Sequence, residues 1–293
     1  MGRICAVRPA AHPVPLLVGA LLWGALGASA ARAEAWPWLT APHTGGTLDA
    51  RLPPPEGFVR VLVEKGSFGE FVRGLPLLPE GAPVRAFNGR ALSTPHVAVV
   101  DLDVGSADLQ QCADSAMRLF AEYQWSRGAA EQIAFHTTSG DRVPFARYAG
   151  GERIAVRGNH VGWQKSAAKP PKGKADRDAF RRFLDDVFMY AGSRSLAQDT
   201  VAVEGELAPG DLLVVGGSPG HVLVILDVAV RGDVRSDERR YLIGEGFMPA
   251  QSFHVVPARD GARWLSPDVD GALLVPTWTA PFPRSSARRF PGG

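Results

Sequence analysis

The sequence predicts an α+β fold in which helices pack on one antiparallel β-sheet. Two observations carry this expectation. Apolar residues recur at helical spacing through the first two thirds of the chain, and after about residue 210 short β-branched runs follow one another across turns rich in Gly, Pro and Asp. Strands consecutive in sequence and joined by short turns pair antiparallel.

The first 33 residues carry Arg3, Arg8 and Arg32 and no acid, around an apolar run from Leu16 to Gly27. This reads as a secretory signal with Ala31-Arg32-Ala33 as its cleavage pattern, so the expected location is periplasmic or extracellular. The run is shorter than the ~20 residues a spanning helix needs, so no stable membrane span is expected after cleavage. Removal of 33 residues from 293 leaves 260, and loss of three arginines takes the formal net charge from +2 to −1. The mature chain then lacks the basic excess that nucleic-acid binding requires.

Residues 34–56, rich in Pro, Gly and Trp and ending in Pro53-Pro54-Pro55, are expected to form an extended arm or linker before a single domain over 57–283. Within that domain Phe68, Phe71, Val72 and Leu75 fall at helical spacing, and Val97 to Leu102 reads as a buried strand. Asp108 and Gln111 resemble a capping box ahead of a four-turn helix whose apolar stripe is Leu109, Cys112, Ala113, Ala116, Phe120 and Tyr123. Ile133 to Thr138 is strand-like, and Lys165 to Lys174 is a polar loop expected to be mobile. A second helix opens at Asp176, turns Phe180, Phe183, Leu184, Val187 and Phe188 inward, and stops at Gly192. Strands follow at Leu212–Val215, His221–Val230, Tyr241–Gly244 and Phe253–Val256. Residues 284–293 are expected to be a disordered tail.

Cys5 precedes the apolar run and leaves with the signal, so Cys112 is the only cysteine of the mature chain. An exported cysteine without a partner is either a small buried side chain or a thiol kept free to react. A thiol attacks as thiolate, and the start of a helix, with its unpaired N–H groups and macrodipole, favours that anion. Its place on the apolar stripe supports the inert reading equally.

His221 opens a strand after Gly216-Gly217-Ser218-Pro219-Gly220, at the rim of the expected sheet, where an imidazole is held rigidly yet near solvent. The same turn matches G-x-S-x-G, but a nucleophile elbow needs a helix after the turn, and Val222 onward is strand-like. Glu245, at the end of the next strand, can be brought beside His221 by antiparallel pairing and would orient the imidazole. Asp227 lies six residues from His221 on one strand, about 20 Å away, which is beyond hydrogen-bond reach. The histidines are scattered, paired cysteines are missing, and neither phosphate-loop nor dinucleotide fingerprints occur, so no metal, nucleotide or other cofactor is expected.

A cysteine at a helix start, a histidine opening a strand and a polar residue on the next strand is an order that resembles papain-like thiol hydrolases. Gly210-Asp211 with Gly220-His221-Val222 is similar to the histidine segment of the CHAP and NlpC/P60 amidases, and Gln111-Cys112 resembles the Gln-Cys of CHAP domains. The resemblance implies a papain-like helix on an antiparallel sheet, Cys112 as nucleophile, His221 as base and Glu245 as orienter. It further implies an oxyanion site made by the Cys112 N–H and the Gln111 or Gln110 side chain.

Across nearly the whole mature chain the sequence also resembles the bacterial exported family classed as domain of unknown function 4846, DUF4846. The stretches that carry this are Leu75-Pro76-Leu77, Asp101 to Gly105, Asp108 to Asp114, Thr138-Ser139-Gly140, Val187 to Gly192, Gly216 to His221 and Phe247 to Gln251.

The functional expectation is an exported thiol amidase or peptidase acting on an amide bond, by resemblance in cell-wall peptides. The alternative is a non-catalytic envelope or binding protein on the same scaffold, with Cys112 structural.

Overall fold

The computed structural model of the chain describes residues 1–2, 36–41, 43–167, 174–232 and 237–293. The expected signal segment falls almost wholly outside the described residues, as does the centre of the polar loop, residues 168–173.

The fold opens with α1 (Leu48–Arg51), β1 (Phe58–Arg60) and α2 (Phe68–Arg73), the last capped by the Ser67 hydroxyl, which accepts the Glu70 N–H at 3.1 Å. A short strand β2 (Ala98–Val99) precedes the long helix α3 (Cys112–Ser126). Next come a hairpin, β3 (Ala134–His136) with β4 (Arg142–Pro144), a short helix α4 (Phe145–Ala149) and a second hairpin, β5 (Glu152–Arg157) with β6 (His160–Lys165). Helices α5 (Lys174–Phe188) and α6 (Ser193–Leu196) lead to β7 (Val201–Ala202), β8 (Leu212–Val215), β9 (His221–Arg231), β10 (Arg239–Glu245), β11 (His254–Val256) and β12 (Ala287–Arg289).

The architecture is α+β around one eight-stranded sheet of order β2-β11-β10-β9-β8-β12-β7, with β1 added beside the far half of β9; every pairing is antiparallel. The expected C-terminal strands are all present within a residue or two of their sequence bounds. Strand β9 holds the centre because it is an almost unbroken apolar run, buried on both faces. Val222, Val224 and Leu226 face the helices, packing with Phe68, Met117 and Phe253 in the first core. Leu223 and Ile225 face the other way and join Ile243, Leu273 and Phe282 in a second core, which the chain after β11 covers. Alternation along one strand thus feeds two cores.

A register shift between Leu242 and Ile243 interrupts the β9–β10 pairing: Leu242 lies opposite Asp227, whereas Ile243 lies opposite Ile225. The bulge lets Asp227 turn to Arg60 and Arg73, which it binds at 2.6 and 2.7 Å. Asp227 is therefore held by two guanidiniums and takes no part with His221.

Two expectations are corrected. The segment before residue 57 is not a free arm: Trp36 and Leu48 are buried, and the Trp38 indole donates to the Asp101 carbonyl at 2.6 Å. The last residues are not a loose tail: β12 pairs with both β8 and β7, and the Phe290 ring stacks on Phe120 with centroids 4.0 Å apart. The β5–β6 hairpin was not expected, although Ile154 and Val156 on one strand and Val161 and Trp163 on the other alternate about the two-residue turn Gly158-Asn159. Among the described residues no helix is long and apolar enough to cross a membrane.

Candidate functional site

Helix α3 begins one turn later than the Asp108 capping box implies. Gln111 is its N-cap, Cys112 its first residue, and the Asp114 carboxylate accepts the Gln111 N–H at 3.0 Å. Asp108 instead accepts the Ala250 N–H at 2.6 Å and the Gln111 side-chain amide at 3.2 Å, tying the helix start to the loop after β10. That loop approaches closely at Gly246, where a Cβ would sit 2.2 Å from the Ser115 hydroxyl oxygen and 2.8 Å from the Gln111 carbonyl. Only glycine fits there.

Cys112 is half-buried and lines a cleft of about 390 Å³. The walls are Asp108 to Asp114 at the helix start, Phe188 to Ser193 after α5, the turn Gly217 to Gly220 and Met248. Every lining residue except Ser193 comes from four of the sequence stretches singled out above. A larger groove, about 720 Å³ between Pro53, Arg240, Arg259 and Trp264, is lined by no cysteine or histidine, so the cleft is the better candidate.

The backbone N–H groups of Val222 and Ala113 lie by the Cys112 sulfur and favour its anion. Burial, and then the negative charge of Asp114, outweigh them and push the thiol up to about 11. Asp114 is itself raised by burial, to about 7, against hydrogen bonds from backbone N–H groups. In this state the thiol is protonated at neutral pH.

His221 is buried at the first position of β9, and its Nε2 donates to Glu245 Oε2 at 2.8 Å. Glu245 ends β10 fully buried, and the Thr277 hydroxyl donates to the same oxygen at 3.0 Å. Burial opposes ionisation of Glu245, but the hydrogen bond from His221 and the facing His254 ring prevail and hold its carboxyl down at about 2. Trp278 stacks on the His221 ring with centroids 5.1 Å apart, and Phe247 and Phe282 meet it from other directions.

The structure thus joins His221 to Glu245 and brings Cys112 to the backbone beside His221. It does not hydrogen-bond the thiol to the imidazole. Cys112 packs with the first core, whereas the His221 ring lies against the side chains of the second, at the rim where β9 begins. Of the two glutamines, Gln111 reaches the cleft and Gln110 does not. Gln110 is fully buried; its carbonyl accepts from Arg118 at 3.1 Å and Arg181 at 2.8 Å, and its amide donates to the Asp103 carbonyl. It belongs to a charge network under the helix, which corrects its expected role in binding an oxyanion. Sequence reasoning also passed over His254 and Thr277, since nothing in their local pattern distinguishes them from ordinary strand and loop residues.

The family model described as Domain of unknown function (4846) matches residues 48–289. The chain belongs to this family. The match runs from α1 through β12, so the DUF4846 domain includes residues 48–56 of the docked segment and the last strand. No curated protein and no solved structure matches the chain. Among the described residues of this DUF4846 domain no group of three His, Cys, Asp or Glu residues is arranged to hold a metal ion.

Proposed function

We propose that this DUF4846 domain is an exported thiol hydrolase of papain-like type that cleaves an amide bond, with cell-wall peptides as the substrate class. One observation carries the reading: the Cys112 sulfur lies by the backbone N–H of Val222, which favours its anion, and Val222 is next to His221, whose Nε2 is fixed on Glu245. With Nε2 carrying the proton, Nδ1 is left as the basic nitrogen.

Turnover requires the His221 ring, which rests against the second core, to meet the sulfur at the rim of the sheet; Nδ1 then takes the thiol proton as sulfur attacks the amide carbon, and the developing oxyanion is met by the Cys112 N–H at the helix start and the Gln111 amide. The imidazolium then protonates the leaving amine, and a water deprotonated by the same nitrogen hydrolyses the thioester. The raised thiol fits a resting site of neutral thiol and neutral imidazole, in which proton transfer accompanies attack rather than preceding it.

The same observation, together with the lack of a hydrogen bond between thiol and imidazole, favours a second reading, a non-catalytic envelope or binding protein with Cys112 structural. Labelling by a thiol-directed probe, with Cys112→Ala and His221→Ala variants, separates the two. The enzyme reading expects labelling slowed at least tenfold by loss of His221, and release of amine from cell-wall peptide fragments that Cys112→Ala abolishes. Labelling indifferent to His221, with no amine released, leaves the binding reading.

A further inference from the structure

Glu245 has two carboxylate oxygens, and His221 and Thr277 account for only one. The other, Oε1, is buried and makes no hydrogen bond; His254 Nε2 lies 3.5 Å away, also buried and also without a hydrogen-bond partner. Glu245 and His254 are direct partners across β10 and β11, so their side chains share one face of the sheet. The other nitrogen of His254, Nδ1, is 2.9 Å from the Ser252 carbonyl oxygen. A carbonyl can only accept, so Nδ1 carries a proton. A neutral His254 would then point the bare lone pair of Nε2 at a carboxylate oxygen, two buried acceptors facing each other with nothing between them.

We propose that His254 is a positioning residue that holds a proton between its Nε2 and Glu245 Oε1, so that the carboxylate is clamped between two imidazoles of different charge. His254 is the imidazolium and neutralises Glu245. His221 stays neutral, donates Nε2–H to Oε2, and keeps Nδ1 as a base. Buried charges persist when paired, and this arrangement leaves the cluster with no net charge. A second imidazolium at His221 would give the pocket an uncompensated positive charge, so His254 disfavours protonation of its neighbour.

The other ionisable groups around the cluster are few. His96 meets the His254 ring edge-on with centroids 6.5 Å apart, and its nitrogens are held by the carbonyls of Thr94 and Ala82. The Cys112 thiol senses the charge of Glu245. The inference rests on the reading of His221 as the base, and it supplies the reason that base is neutral at rest.

Nitrogen NMR of histidine-labelled full chain, in the Cys112→Ala background, tests it without any turnover. The expected result at pH 7 is two protonated ring nitrogens on His254 and one, Nε2, on His221. A His254 with a bare Nε2 overturns the proposal. In the chain with Cys112 present, His254→Gln keeps a donor toward Oε1 and removes the charge. It is expected to move the pH midpoint of Cys112 labelling upward by about one unit, a tenfold change in proton affinity; an unmoved midpoint in a folded variant also counts against the proposal. If His254→Gln fails to fold, the NMR result on the Cys112→Ala chain decides alone. Labelling that ignores His221 while His254 shows both protons would sink the hydrolase reading and leave the charge assignment standing.

Discussion

Glu245 accepts the Nε2–H of His221 at 2.8 Å with at most 1% of either side chain exposed to solvent. A carboxylate and an imidazole brought this far out of water are maintained by each other, and the titration of the carboxyl is tied to folding. The pairing sets what the surrounding residues are expected to do.

Glu245→Gln removes the charge and keeps an acceptor for His221. The carboxyl titrates from 4.5 in the unfolded chain to about 2 in the folded one. The folded state therefore binds fewer protons in that window, and its stabilisation is complete above about pH 5 and lost as pH falls toward 2. The expected loss on substitution at pH 7 is on the order of 3 kcal/mol, shrinking as the wild type is acidified. Urea denaturation at pH 7 and pH 3 measures both.

Asp114→Asn works with the opposite sign. The carboxyl is raised from 3.8 to about 7 on folding, so the folded state binds more protons between those values and wild-type stability falls as pH rises through them. Asn retains an oxygen for the Gln111 N–H without the charge. The variant is expected to gain stability relative to wild type at pH 8 compared with pH 4. It should also lower the Cys112 midpoint from about 11, read as faster alkylation at pH 8.

Arg118→Ala tests the network below the cleft. Arg118 is 1% exposed and binds Glu122 at 2.7 Å, Asp103 at 2.9 Å and Gln110 at 3.1 Å. Truncation strands Glu122, fully buried and left with Arg177 alone, so a loss of about 3–5 kcal/mol is expected by urea denaturation. Gln110 should loosen with it, visible as faster amide exchange at the start of α3.

Phe290→Ala probes the docked C-terminus. The ring is 2% exposed and packs on Phe68 as well as Phe120, so its removal is expected to cost about 3–5 kcal/mol. Protease cleavage near Ser286 should become faster as β12 frays from β8. A tail that contributed nothing would show neither effect.

Gly246→Ala is expected to disturb the cleft more than the core. The added methyl would overlap the Ser115 hydroxyl and the Gln111 carbonyl, pushing the loop after β10 away from the helix start. Loss of the Ala250 to Asp108 hydrogen bond, followed by amide exchange, is the expected sign.

Much of this protein is determined by local sequence. The strands from Leu212 to Val256 are legible because β-branched runs between Gly, Pro and Asp turns have few alternatives, and α3 and α5 because their apolar stripes hold helical period over four turns. The pairing of His221 with Glu245 was also within reach, since two consecutive antiparallel strands bring the start of one near the end of the next. The docked termini were not legible: Phe290 and Trp36 sit in segments without periodicity, and only their distant partners give them a place.

Tertiary structure alone decided that His221 shares a face of the sheet with Glu245. The bulge opposite Leu242 and Ile243 adds one residue, Leu226, to β9, so His221 and Leu223 lie on the face of Ile243 and Glu245; in unbroken register Val224 would oppose Glu245 and His221 would point toward the helices. A one-residue slip reverses every side chain of a strand, and no local pattern encodes it. Gln110 went the other way for the same kind of reason. Its neighbour in sequence, Cys112, enters the cleft, while Arg118 and Arg181 draw Gln110 beneath it, a choice made by charges 8 and 71 residues away.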